Sequence, residues 1–199
     1  MIPWFYAFCR FVVWALASLL FGFKTIGREH VPPAGPLIVA CNHVSNLDPP
    51  CLGVGMPRPV SYMAKIELFA IPVLGPVITW LGAFPVDRSR GDVASIKTAI
   101  GVLERGTCLG IFPEGGRNTD GSRQAQLGVA LLAARSGATV LPAYVSGTSQ
   151  SKFRSRVTVV FGEPLRFEAG QKARRDDLAK WTDELMSRIY ALREKTGDH

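Results

Sequence analysis

His43 and Asp48 stand five residues apart in Ala40-Cys41-Asn42-His43-Val44-Ser45-Asn46-Leu47-Asp48-Pro49-Pro50, and an imidazole beside a carboxylate is the simplest general base a chain can build. On one continuous helix that offset would turn the two side chains about 140° apart, at ~100° per residue, so they meet only across a bend. Pro49 supplies the bend. The residue before a proline is pushed out of the helical region and proline suits the first helical position, which predicts Asp48 as an N-cap. His43 then lies in the loop ahead of the helix, able to fold back toward the carboxylate. Such a carboxylate keeps one ring nitrogen protonated and leaves the other to accept a proton. A loop histidine and a helix-capping aspartate would look the same, so the decision rests on the rest of the chain.

Two further places suit an anion. Residues 82–88 read as a short strand ending in Arg88, at a strand's carboxyl end where α/β sheets place ligands, and a guanidinium fork donates two hydrogen bonds to a phosphate. Residues 108–112 read as a strand running into Pro113-Glu114-Gly115-Gly116-Arg117-Asn118, which sets backbone amides beside a cation. Taken singly, the first is equally a solvated arginine and the second a glycine turn. Lys152, Arg154 and Arg156 form a basic cluster suited to anionic lipid or to a donor's phosphates, or simply to water. There is no Gly-x-Ser-x-Gly elbow, Walker loop or dinucleotide glycine fingerprint. The histidines His30, His43 and His199 lack the spacing of a metal pair, and Cys9, Cys41, Cys51 and Cys108 sit apart in apolar runs. They read as free thiols of a reducing compartment, and no metal or cofactor is expected.

The elements that must position these groups alternate. Strands are expected at 37–40, 60–64, 82–88, 108–112, 139–145 and 157–161, with helices at 92–105, 124–136 and 177–192 and a short one ending near Met56. Residues 24–36, rich in Pro and Gly, read as a connector, and 71–81 as an apolar run that either lines an acyl groove or joins the core. The pattern predicts one α/β domain with a mostly parallel or mixed sheet flanked by helices. A chain of 199 residues, 47% hydrophobic and 20% charged, is long enough for one such core. Its net charge of +7 favours an anionic partner, but no basic helix face or basic-aromatic repeat points to nucleic acid. Residues 2–23 hold eight aromatics and are interrupted by Arg10. The unbroken run after Arg10 falls short of the ~20 residues that cross a bilayer. An interfacial helix at residues 1–24, ahead of a domain at 25–199, fits better than a span or a cleaved signal.

Asn42-His43-x-x-x-x-Asp48, Lys65-x-Glu67-Leu68-Phe69 with Gly82-x-Phe84-x-x-Asp87-Arg88, Phe112-Pro113-Glu114-Gly115-x-Arg117, and Val140-Leu141-Pro142-Ala143 resemble, in order, the four blocks of the glycerolipid acyltransferase family, in particular its bacterial 1-acylglycerol-3-phosphate acyltransferases. The resemblance covers about residues 25–165. It implies acyl transfer from acyl-CoA or acyl-carrier protein to the free hydroxyl of lysophosphatidic acid, giving phosphatidic acid, with both thioesters as substrates rather than cofactors. It makes His43 the general base and Asp48 its holder. Arg88 and Arg117 are assigned to the acceptor phosphate, Glu114 to its glycerol portion, Gly115 to close backbone approach and Lys65 to the substrate-binding set. It implies a membrane-associated protein in contact with anionic lipids on the cytoplasmic face of a bacterial inner membrane. Gly116 and Asn118 depart from the Thr and Ser usual there, which predicts a looser turn, and 124–128 lacks a lysine often found nearby. These departures leave glycerol 3-phosphate or another lyso-lipid open as acceptor, and a non-catalytic anionic-lipid-binding module remains the alternative to an enzyme.

Overall fold

The computed structural model describes residues 1–87, 93–149, 156–168 and 173–197. The chain runs α1 (Pro3–Phe21), β1 (Lys24–Ile26), β2 (Leu37–Cys41), α2 (Asp48–Gly55), β3 (Val60–Lys65), α3 (Ile66–Phe69), α4 (Leu74–Trp80) and β4 (Phe84–Val86). It continues through α5 (Val93–Glu104), β5 (Cys108–Ile111), α6 (Gly128–Ser136), β6 (Thr139–Ser146), β7 (Thr158–Phe161) and α7 (Arg175–Ala191). The strands form one mixed sheet in the order β1-β7-β6-β2-β5-β3-β4, antiparallel only between β6 and β7.

β2 lies at the centre and every one of its residues is buried, as expected of a parallel strand covered on both faces. Its side chains alternate. Leu37, Val39 and Cys41 pack with Cys51 and Leu52 of α2 and with Met56 just past its end. Ile38 and Ala40 point to the opposite layer, with Ala99 and Leu103 of α5, Leu132 and Ala133 of α6, and Leu185 and Ile189 of α7. α1 lies against α2, and its buried Tyr6 hydroxyl accepts a 3.1 Å bond from the Val60 amide.

This layering fixes where a ligand can sit. β2 and β5 are parallel neighbours, yet β2 leads into a helix on one face and β5 into a helix on the other. Their exits diverge at the carboxyl edge, and such a divergence opens the crevice in which open α/β sheets bind ligands. His43 follows β2 and Glu114 follows β5.

The architecture agrees with the sequence expectation, with three differences. Residues 24–26 are not part of a connector: Lys24 to Ile26 pair with Thr158 to Val160 at the sheet edge. Helix α6 begins only at Gly128; ahead of it the Gln126 amide bonds the Pro113 carbonyl at 2.8 Å and ties this stretch to the β5 exit. The apolar run at 71–81 becomes a tight turn followed by α4.

Candidate active site

Past the end of β2, Asn42 replaces a strand rung with its side chain. Its Nδ2 donates to the Val145 carbonyl at 3.0 Å and its Oδ1 accepts the Val145 amide at 2.8 Å. The carboxamide thus continues the β2–β6 ladder and fixes where His43 leaves the sheet. The His43 ring stacks on Phe112, centroids 4.2 Å apart, so its tilt is set as well.

Asp48 Oδ2 lies 2.9 Å from His43 Nδ1 and accepts the Val44 and Ser45 amides, each at 2.7 Å. Its other oxygen accepts the Thr148 hydroxyl at 2.5 Å. Every other group at this carboxylate is a donor, so Nδ1 must donate too, and Nε2 is the ring atom left to accept. Among the described residues no hydrogen bond reaches Nε2. Asp48 is wholly buried while the His43 side chain keeps 14% of its surface exposed, the distribution a held carboxylate and a working base require. His30, by contrast, has both nitrogens engaged, by the Phe161 carbonyl and Glu163.

The capping expectation needs correction. The helix starts one residue earlier, with Leu47 at the N-cap and Asp48 inside the first turn. The carboxylate reaches back to the loop amides of Val44 and Ser45 rather than forward to the helix, because the loop brings His43 to the same oxygen.

The β5 exit supplies the second half. Glu114 is buried, its Oε1 accepts the Tyr190 hydroxyl at 2.8 Å, and its Oε2 is sealed from solvent without a well-formed hydrogen bond. Gly115 adopts φ +67°, a left-handed conformation that favours glycine, and its missing Cβ leaves room for the Gln126 side-chain amide. Asn118 is the hub. Its amide donates to the His43 carbonyl at 2.6 Å, its Oδ1 accepts the Arg123 amide at 3.1 Å, and its Nδ2 lies 3.5 Å from the Tyr190 hydroxyl. The expected loosening at Gly116 and Asn118 is therefore not found: Asn118 is buried and ties the two loops together.

Arg117 is exposed on this turn, and its carbonyl accepts Arg123 Nε at 3.1 Å, which brings a second guanidinium to the same loop. Lys65 closes β3 at the same sheet edge and is exposed. Arg88, Lys152 and Arg154 lie outside the described residues. No cluster of metal-ligating side chains occurs among the described residues. Burial pushes the Cys41, Cys51 and Cys108 thiols up, the latter two to about 11, so none is a nucleophile at neutral pH.

Thr148 and Tyr190 are the site residues that sequence reasoning misses. Burial pushes the Glu114 carboxyl above its ordinary value of 4.5, and the Tyr190 hydroxyl bond offsets part of that rise. Burial and the Glu114 carboxylate push Tyr190 up to about 12, which keeps its proton in place to donate. The native state therefore binds the Glu114 proton more tightly than the unfolded chain. Its contribution to stability is greatest below pH 4.5 and falls as pH rises through the raised value. Tyr190→Phe raises that value further, so its cost grows between pH 4.5 and pH 8, toward about 1.5–3 kcal/mol for a charge-assisted bond as the carboxylate ionises and from roughly half that while it is protonated. Denaturant melts of both proteins at the two pH values measure this, and an equal cost at both would mean that the tyrosine hydroxyl does not stabilise the carboxylate.

Residues 22–146 match the acyltransferase family model. The chain is 33% identical over 195 residues to a 1-acyl-sn-glycerol-3-phosphate acyltransferase of Bacillus subtilis, covering 96% of this chain and 98% of that protein. It is also 33% identical to the Borreliella burgdorferi protein of the same name, over 65% of this chain, and spans only 54% of that relative's length. The fold is similar to the crystal structure of the 1-acyl-sn-glycerophosphate (LPA) acyltransferase PlsC from Thermotoga maritima, with a TM-score of 0.77 and 25% identity over 98% of this chain and 80% of the other.

Proposed function

Because this chain belongs to the acyltransferase family, and is an O-acyltransferase on that footing, we propose that it acylates the free hydroxyl of a 1-acylglycerol 3-phosphate to give phosphatidic acid. The donor is acyl-CoA or acyl-carrier protein. The observation that carries the chemistry is the 2.9 Å pairing of His43 Nδ1 with a carboxylate already filled by donors.

His43 Nε2 takes the hydroxyl proton as the acceptor oxygen bonds to the thioester carbonyl carbon. The tetrahedral intermediate then breaks its C–S bond, and the leaving thiolate takes the proton back from the imidazolium. No covalent enzyme intermediate is needed, since a thioester is already reactive toward a positioned oxygen with its proton held by a base. Arg117, with Arg88, would meet the acceptor phosphate, and Lys65 would complete the substrate-binding set. Gly115 would let the backbone approach, and Glu114 would sit behind the glycerol portion. α1, long and apolar enough to reach across a bilayer by length and composition, would hold the site against an anionic lipid surface on the cytoplasmic side of a bacterial inner membrane.

Purified protein assayed with lysophosphatidic acid, lysophosphatidylcholine and glycerol 3-phosphate, each with both donors, tests the reading through thiol release. Lysophosphatidic acid is expected to give the highest kcat/KM. Preference for glycerol 3-phosphate, or for an acceptor lacking a free phosphate, would overturn the acceptor assignment. Arg117→Ala should raise the acceptor KM about tenfold or more with kcat little changed. An unchanged KM would remove Arg117 from the phosphate site.

A further inference from the structure

α1 presents one apolar stripe to solvent. Trp4, Phe8, Phe11 and Leu19, between 60% and 77% exposed, fall within about 80° of one another at ~100° per residue. Tyr6 and Ala17 bury the opposite side. The 66–80 segment adds a second apolar surface, with Ile66, Ile71, Val73, Leu74 and Trp80 all exposed. The two are continuous: the Ile2 amide donates to the Trp80 carbonyl at 2.8 Å, and Phe5 packs edge-on to Trp80 at 5.3 Å.

The tip of this segment is strained. Val73 has φ +69° and ψ −51°, and the Leu74 amide donates to the Pro72 carbonyl at 2.8 Å, which makes a γ-turn of the rare positive-φ kind. A β-branched residue in that region is an outlier, and Val73 is also 77% exposed. Such strain persists where the surroundings hold it, and here they do. Gly75 lies so close to Phe69 that a Cβ would meet its carbonyl oxygen at 2.2 Å, so α3 and α4 are locked together below the turn. The fold thus spends rigid structure on holding an apolar tip outward. The tip belongs to the crossover leaving the carboxyl end of β3, the sheet edge from which the His43 and Glu114 loops also leave.

We propose that the 66–80 segment is a second bilayer-contacting element, its tip at 71–74 entering the acyl-chain region of the membrane. This rests on the reading of the acceptor as a lipid. Together with α1 it would press the crevice mouth onto the membrane, so that acyl chains pass between bilayer and site without crossing water.

The experiment places an environment-sensitive nitrobenzoxadiazole label at Val73→Cys, and separately at Leu19→Cys, in a Cys9→Ser background with the three remaining cysteines buried. Vesicles of phosphatidylethanolamine and phosphatidylglycerol are then added. Both labels are expected to shift to the blue and to resist aqueous quencher. A Val73 label that stays in water, whether or not the Leu19 label moves, would overturn the proposal. Val73→Gly separates the surface from the fold: relief of the turn should raise the melting temperature while vesicle affinity falls about tenfold, the loss expected for one apolar side chain. Unchanged affinity would also overturn it. Thiol release is read independently, so blue-shifted labels on a protein that acylates nothing would leave the membrane contact standing and sink the proposed reaction.

Discussion

His43→Ala is expected to lower kcat for acyl transfer by about 10³–10⁴-fold while the protein stays folded. The two halves of that expectation come from different contacts. Loss of the imidazole removes Nε2, the one histidine nitrogen among the described residues left to accept the hydroxyl proton, since Nδ1 is committed to Asp48 and His30 is held by Phe161 and Glu163. The structural loss is the Phe112 stacking contact and one hydrogen bond, together about 1–2 kcal/mol. Asp48 would still receive the Val44 and Ser45 amides and the Thr148 hydroxyl, so no buried carboxylate is orphaned. Thiol-release assays paired with thermal melts test both halves. Full activity in the variant would refute the mechanism, and collapse of the fold would mean that His43 is a structural residue.

What the sequence reveals follows the range of the forces involved. The bend between His43 and Asp48 is legible because the Pro49-Pro50 pair marks a helix start close behind the strand, although the helix takes in Asp48 as well. The central strand is legible because an apolar run buried on both faces has few other uses. The direction in which Asp48 points is not legible. Helix amides and loop amides compete for the same carboxylate, and the loop wins only because His43 and Thr148 arrive from elsewhere. β1 is invisible for a similar reason: Lys24-Thr25-Ile26 carries no pattern of its own and becomes a strand by pairing with residues 158–160. Tyr190 follows Ile189 on a helix whose buried positions mark it as a packing element. Nothing near it in sequence announces a hydrogen bond to a carboxylate 76 residues earlier. The first and third motif blocks mark the two loops at the crevice, and the residues that hold those loops in place come from the end of β6, its following turn and α7.

Asp48 should separate into a structural and an electrostatic role when it is replaced in two ways. Asp48→Ala strips the acceptor from the His43 ring, two loop amides and the buried Thr148 hydroxyl at once. A loss of roughly 3–5 kcal/mol is expected, larger than for His43→Ala, because several donors are left without partners. Asp48→Asn keeps the shape. The Val44 and Ser45 amides demand an oxygen at the Oδ2 position, which turns the new amide nitrogen toward Thr148, and a hydroxyl can rotate to accept from it. Nδ1 then still donates, Nε2 is still free, and the melting temperature should stay near that of the parent. What disappears is the negative charge facing the imidazolium as it forms, so kcat is expected to fall about 10²–10³-fold at unchanged acceptor KM. If Asp48→Asn retains full kcat, the carboxylate serves only to fold the loop, and the charge opposite the base contributes nothing to the reaction.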